Sequence, residues 1–156
     1  MTVQITQHTP NFSTAPQISC DDMAAIAASG FHTVINNRPD GEGGPEQPSS
    51  HDMAQAALAH GLAYHYIPVV SGQVTQEQVT AFAEALAQAP GPVLAFCRSG
   101  TRSTNMWRMG QSLKATATRL YRAVLRSRVA VCATLEQKNS LEALPKASEI
   151  RSCARR

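Results

Sequence analysis

Val93-Leu94-Ala95-Phe96-Cys97-Arg98-Ser99-Gly100-Thr101-Arg102-Ser103 is the stretch that decides how this 156-residue chain is read. Four apolar residues end in a cysteine. A short loop with a central glycine and two arginines follows, and then a helix-compatible run from Thr104 to Met109. The reading is a buried strand, an anion-cradling loop and the start of a helix. Successive backbone N–H groups in a tight loop make a concave anion site, and a helix start adds its positive dipole end. A thiol placed there, beside an arginine, is stabilised as thiolate. Gly100 lets the backbone take a positive φ and close on a ligand. The planar fork of Arg102 suits two-point binding of a tetrahedral oxyanion. Ser103, just past the loop, is placed to hydrogen-bond the Cys97 sulfur and ease its departure from a covalent intermediate. Cys97 is therefore the candidate nucleophile. A buried structural cysteine before a surface loop is the bland alternative, and Gly100, Arg102 and Ser103 together weigh against it.

Upstream of this stretch, helices and strands alternate. Residues 1–18 read as extended or irregular. Ser19 is a good N-cap ahead of Asp21 and Asp22, Met23, Ile26 and Ala27 follow at helical spacing, and Gly30 stops that helix. Phe31 to Ile35 is rich in β-formers and reads as a strand. A Pro/Gly-rich loop runs to Ser49, residues 50–60 are helical, and Ala63 to Ile67 is the next strand. Thr75 with Gln78 makes a capping box. Val79, Phe82, Ala83 and Leu86 then form an amphipathic face. This alternation implies an α/β fold, a small parallel sheet flanked by helices. In such sheets the site lies beyond the carboxyl ends of the strands, where loops 36–49, 68–74 and 97–102 lie. Arg38, Asp40, Ser71 and the Cys97 loop are expected to converge there.

Composition narrows the function classes. The hydrophobic fraction is 43%, and no run of eighteen apolar residues occurs, so no spanning helix is expected. Met1-Thr2-Val3-Gln4 lacks the basic and apolar regions of a signal peptide, so a cytoplasmic location is expected. The cysteines, Cys20, Cys97, Cys132 and Cys153, are widely spaced. That spacing argues against a zinc site and against a disulfide scaffold, and no metal or cofactor is expected. The net charge of +3 hides an asymmetry. Residues 1–97 carry one arginine and eight acidic side chains, whereas residues 98–156 carry 13 basic and three acidic ones. Arg119, Arg122 and Arg126 form a basic stripe opposite Leu113, Leu120 and Val124, read either as a solvated helix face or as a surface for an acidic partner, nucleic acid or a membrane surface. Residues 137–156 lack clear periodicity.

Thr33-Val34-Ile35-Asn36-Asn37-Arg38-Pro39-Asp40-Gly41-Glu42, Ala63-Tyr64-His65-Tyr66-Ile67-Pro68-Val69 and the Gly91 to Ser103 stretch closely resemble one bacterial family, the phosphatase-like domain of the beta-lactamase hydrolase-like proteins. The resemblance covers roughly residues 10–107. It implies the fold of tyrosine and dual-specificity phosphatases, with residues 1–110 as the phosphatase-like domain. After about Arg108 the family pattern is lost, and the charge and periodicity of residues 111–156 read as a basic, helical or partly disordered tail. It also implies Cys97 as a nucleophile that becomes a phosphocysteine, Arg102 as the phosphate clamp and Ser103 as the hydroxyl that follows it. The backbone of Arg98, Ser99, Gly100 and Thr101 would cradle the phosphate of a small molecule or a phosphoprotein. Family members also occur fused to metallo-beta-lactamase-like or sulfide-oxidising modules.

Three departures from typical tyrosine phosphatases keep other functions open. Four residues, not five, separate Cys97 from Arg102, and such a loop also looks like rhodaneses, which carry sulfur as a cysteine persulfide. The residue before the cysteine is Phe96, where a histidine is common. No aspartate follows Asp52, so the loop at 68–74 lacks the usual proton donor. Asp40 is the expected substitute acid, and Arg38 is expected either to touch substrate or to anchor its loop. A phosphatase, a sulfurtransferase and a phosphate-binding module without turnover are the three candidate functions.

Overall fold

The computed structural model describes residues 3–142, with side-chain surroundings through residue 122. Strands β1 (Thr6–Thr9) and β2 (Phe12–Ala15) form a hairpin ahead of helix α1 (Asp22–Ala28). Then come β3 (Thr33–Asn36), α2 (Ser50–Ala59), β4 (Ala63–Tyr66), α3 (Gln76–Gln88), β5 (Val93–Phe96) and α4 (Thr101–Glu142). The sheet order is β1-β2-β5-β3-β4. β2, β5, β3 and β4 are parallel, and β1 is an antiparallel edge strand. The expected parallel sheet with flanking helices is therefore present, and the segment read as extended or irregular, residues 1–18, holds the β1–β2 hairpin.

β5 is central and buried on both faces, as a strand covered by helices on either side must be. Its alternating side chains feed two cores. Leu94 and Phe96 join Val34, Met23, Ile26, Met53 and Ala57 on the α1/α2 side. Val93 and Ala95 join Ile35, Val79, Phe82 and Met106 on the α3/α4 side. In the register, Asn36 lies opposite Phe96 and Tyr66 opposite Asn36, so the strands end level. The loops after β2, β3, β4 and β5 therefore leave from one edge.

Local chemistry sets the boundaries. α3 starts at the predicted capping box, with Thr75 accepting from the Gln78 backbone and the Gln78 side chain accepting from Thr75. α1 departs from expectation. Its N-cap is Asp21, without a side-chain cap bond, and Ser19 instead donates from both N and Oγ to Asp22. Met106 is buried in the core on the α3/α4 side, Trp107 stacks on Phe12, and Met109 is exposed.

The chain divides into one compact unit ending at Leu113 and a second beginning at Lys114. In the second, α4 continues to Glu142, so residues 137–142 are helical where no periodicity had been read. Arg119 and Arg122 are exposed, and so is Leu120, which had been placed on the apolar side. The side chains of Val124 and Arg126, and all of residues 143–156, lie outside the described residues. Among the described residues no helix is long and apolar enough to cross a membrane.

Candidate active site

Cys97 is the first residue beyond β5 and is only 1% exposed. Its sulfur accepts a hydrogen bond from the Gly100 N–H at 3.1 Å. That bond requires the chain to double back within three residues, and Gly100 does so at φ +85°. A side chain here would be strained, and its Cβ would lie 3.3 Å from the Ala15 carbonyl oxygen. The loop also rests on the β2–α1 connection, where Gln17 N donates to the Arg98 carbonyl at 3.3 Å. α4 begins at Thr101, inside the loop and earlier than expected, so its N-terminal amides and dipole face the sulfur's surroundings.

Arg102 is held on one side and open on the other. Its Nη1 donates to the carbonyls of Val69 at 2.6 Å and Asn37 at 3.3 Å, and its Nη2 donates to Glu42 Oε1 at 2.7 Å. A guanidinium has five N–H donors. Three are accounted for, which leaves Nε–H and one Nη2–H for an anion. The other oxygen of Glu42 accepts from Arg38 Nε at 2.9 Å, so one carboxylate bridges two arginines. Burial pushes the Glu42 carboxyl up, but the hydrogen bonds and charges of Arg102 and Arg38 outweigh it and hold it below the ordinary value.

A cleft of about 500 Å³ opens above this arrangement. Cys97, Arg98, Ser99, Thr101 and Arg102 line it from the loop, and Ser71 faces them. Loops 36–49, 68–74 and 97–102 thus converge as expected, but their contributors differ. Glu42, not Asp40, is the carboxylate in the cleft. Asp40 accepts from Ser50 N at 2.8 Å and Ser50 Oγ at 2.6 Å, which places it at the start of α2. A carboxylate there completes the unpaired amides of a helix start and meets its positive dipole end. The oxygens of Asp40, the expected acid, are thus directed to Ser50 and not into the cleft. Arg38 anchors rather than lines the cleft, with Nη1 on Gln17 Oε1 at 2.8 Å and Nε on Glu42. Ser103 is fully buried with its hydroxyl unpaired, so the expected bond to the Cys97 sulfur is not made.

The remaining polar side chains hold loops. Tyr64 OH accepts from Asn36 at 2.9 Å, and burial pushes the Tyr64 phenol up. Tyr66 OH accepts from the Asp40 N–H at 3.0 Å. Cys20 packs its sulfur 3.7 Å from that of Met53. Burial and the nearby Asp52 and Asp21 raise its thiol, as a structural cysteine requires. Among the described residues no group of His, Cys, Asp or Glu is arranged to hold a metal ion. Sequence reasoning missed Glu42 and Asn105. The one pointer to Glu42 was its position four residues after Arg38, across a Gly-rich turn.

Residues 4–114 match the family model described as "Beta-lactamase hydrolase-like protein, phosphatase-like domain". A beta-lactamase hydrolase-like protein of Agrobacterium fabrum is 40% identical over 92 residues, covering 59% of this chain and 21% of that protein. One from Xylella fastidiosa is 37% identical over 95 residues, covering 61% and 22%. The chain thus spans about a fifth of the length of the curated relatives it matches. A Neisseria meningitidis Z2491 protein of known crystal structure, provisionally named a phosphatase, superposes with a TM-score of 0.58. It is 35% identical, over 62% of this chain and 68% of that one. A Shewanella putrefaciens CN-32 protein with a similar provisional name shares the fold at a TM-score of 0.61 and 23% identity, over 72% and 69%.

Proposed function

The chain belongs to the family of beta-lactamase hydrolase-like phosphatase-like domains, and on that premise we propose that it is a cysteine-dependent phosphatase acting on a phosphate monoester. The observation that carries this is the Cys97 sulfur, bonded to the Gly100 amide at the floor of a cleft beside the open edge of Arg102. In the first step the Cys97 thiolate attacks phosphorus, an S–P bond forms and the ester P–O bond breaks. The leaving oxygen carries away the electron pair of that bond. In the second step water attacks phosphorus, releases inorganic phosphate and returns the thiolate. Arg102, with the loop amides and the α4 dipole, stabilises the charge on the equatorial oxygens. The unpaired hydroxyl of Ser103 is a donor in reserve for the sulfur as it departs in the second step.

The proton donor sets the substrate range. Glu42 is held ionised by two arginines, and Asp40 is occupied at α2. Among the described residues no other carboxylate lines the cleft. Esters whose alcohol leaves as a stable anion, such as aryl phosphates, should therefore react far faster than alkyl esters. The test is acid-quenched turnover of an aryl phosphate followed by peptide mass mapping. Phosphate on the peptide containing Cys97 is expected. Turnover with no such adduct, undiminished in Cys97→Ser, would remove the mechanism.

A second reading has its own observation. The four-residue spacing between Cys97 and Arg102 also suits a persulfide-carrying loop. Cys97-dependent transfer of sulfur from thiosulfate to cyanide would establish it.

A further inference from the structure

The first turns of α4 border two cavities. Beside the Cys97 cleft lies a second, of about 320 Å³, whose walls include Thr6, Thr14, Thr104 and Arg108. Ser99, Thr101 and Asn105 line both, so the two cavities meet across the same rim. Thr101, Thr104, Asn105 and Arg108 follow one another at i, i+3, i+4 and i+7 and form one stripe of α4. The β1–β2 hairpin supplies the facing wall. There the buried Thr14 hydroxyl lies 2.9 Å from His8 Nε2 and 3.4 Å from Thr104 Oγ1. Ala15, Pro16 and Gly100 complete the lining, whose polar side chains are hydroxyls, the Asn105 amide and Arg108, with no carboxylate among them.

Charge points the same way. Among the described residues both ion pairs end on Glu42, which serves Arg38 and Arg102. Arg108 is exposed at its cavity, and among the described residues no carboxylate pairs with it. Six residues, about 9 Å of helix rise, separate it from Arg102. A cation kept unpaired beside hydroxyl donors, in a cavity large enough for a phosphate-sized group, is a place for a second anion.

We propose that this cavity is a subsite for a second anionic group of the substrate, so that the preferred substrate is a small phosphomonoester bearing a further phosphate or phosphonate. The inference rests on the proposed reading that the reacting phosphate sits at the Cys97 loop. It adds what the far end of the ester must carry.

The test separates binding from turnover. The probes are phenyl phosphates with a para alkyl tether ending in either a phosphonate or a hydroxyl, in a series of tether lengths. Calorimetry on Cys97→Ser should show, at the best tether length, at least tenfold tighter binding of the phosphonate-ended probe. Adding the exposed change Arg108→Gln should erase that preference and leave the hydroxyl-ended probe unaffected. Equal affinity for both probes at every length, or a preference that survives Arg108→Gln, would overturn the subsite. Turnover by the unsubstituted protein is scored separately. An Arg108-dependent binding preference without turnover would keep the subsite and remove the catalytic reading. Turnover without any preference would do the reverse.

Discussion

At the scale of single residues, one carboxylate organises the site. Glu42 fixes one Nη2 hydrogen of Arg102 and leaves the Nε–H and the other Nη2–H for an anion, while Arg38 fixes Glu42. A hydrogen bond to a charged group contributes about 1.5–3 kcal/mol. If that is expressed wholly in positioning Arg102, Glu42→Gln should lower kcat/KM for an aryl phosphate by about ten- to hundredfold. Steady-state kinetics beside a thermal melt would separate this from a loss of folding. Asp40→Asn should behave in the opposite way. It weakens the charge at the start of α2 and should cost about 1 kcal/mol in denaturant unfolding. Its kcat/KM should stay within about threefold, because its oxygens bind Ser50 and not substrate. Cys97, Arg102 and Gly100 could be read from the sequence because strand, loop and helix start are local and consecutive. Glu42 could not. Its partner Arg102 lies 60 positions away, and only the sheet register brings the two loops together. Asp40 and Glu42 sit on the same loop, and nothing in their spacing tells which one turns toward Arg102.

At the scale of elements, the anion loop is a hinge between a buried strand and a helix that starts inside it. Gly100→Ala would force an L side chain to φ +85° and press its Cβ on the Ala15 carbonyl. The left-handed conformation alone costs about 1–2 kcal/mol. This variant should lose that much stability by denaturant unfolding and lose most of its aryl phosphatase activity, because the amide that meets the Cys97 sulfur moves. Thr75→Ala is the matched contrast. It breaks the α3 capping box and should cost about 1 kcal/mol with activity unchanged. The elements that could be read well from the sequence carry such local signals: the α3 box and the apolar run of β5. The β1–β2 hairpin was missed because Thr6–Thr9 and Phe12–Ala15 are short and rich in threonine and serine. β2 is a strand mainly because β5 pairs with it, 81 positions away in register, as in Phe12 opposite Val93. That same hairpin supplies Thr6, Thr14 and Ala15 to the wall of the second cavity, so the sequence alone held no hint of it.

At the scale of the molecule, charge and packing converge on one sheet edge. The Glu42 carboxyl titrates below its ordinary value of 4.5, so it contributes stability above that pH and loses the contribution as pH falls through its folded value. Acid unfolding monitored by circular dichroism should therefore show a falling stability below about pH 4.5 that is shallower in Glu42→Gln. The family and the fold could be read because the resemblance spans the strands and loops of this edge. What the chain does chemically could not be read in full, since the loop spacing suits phosphate and sulfane sulfur alike. The measurement that bears most directly on the central claim is a paired assay of wild type and Cys97→Ser. Hydrolysis of an aryl phosphate and transfer of sulfur from thiosulfate to cyanide would be run on the same preparations. The account predicts phosphate release that falls by about 10³-fold or more in Cys97→Ser, with no thiocyanate formed. Thiocyanate that depends on Cys97, or phosphate release that survives its replacement, would contradict it.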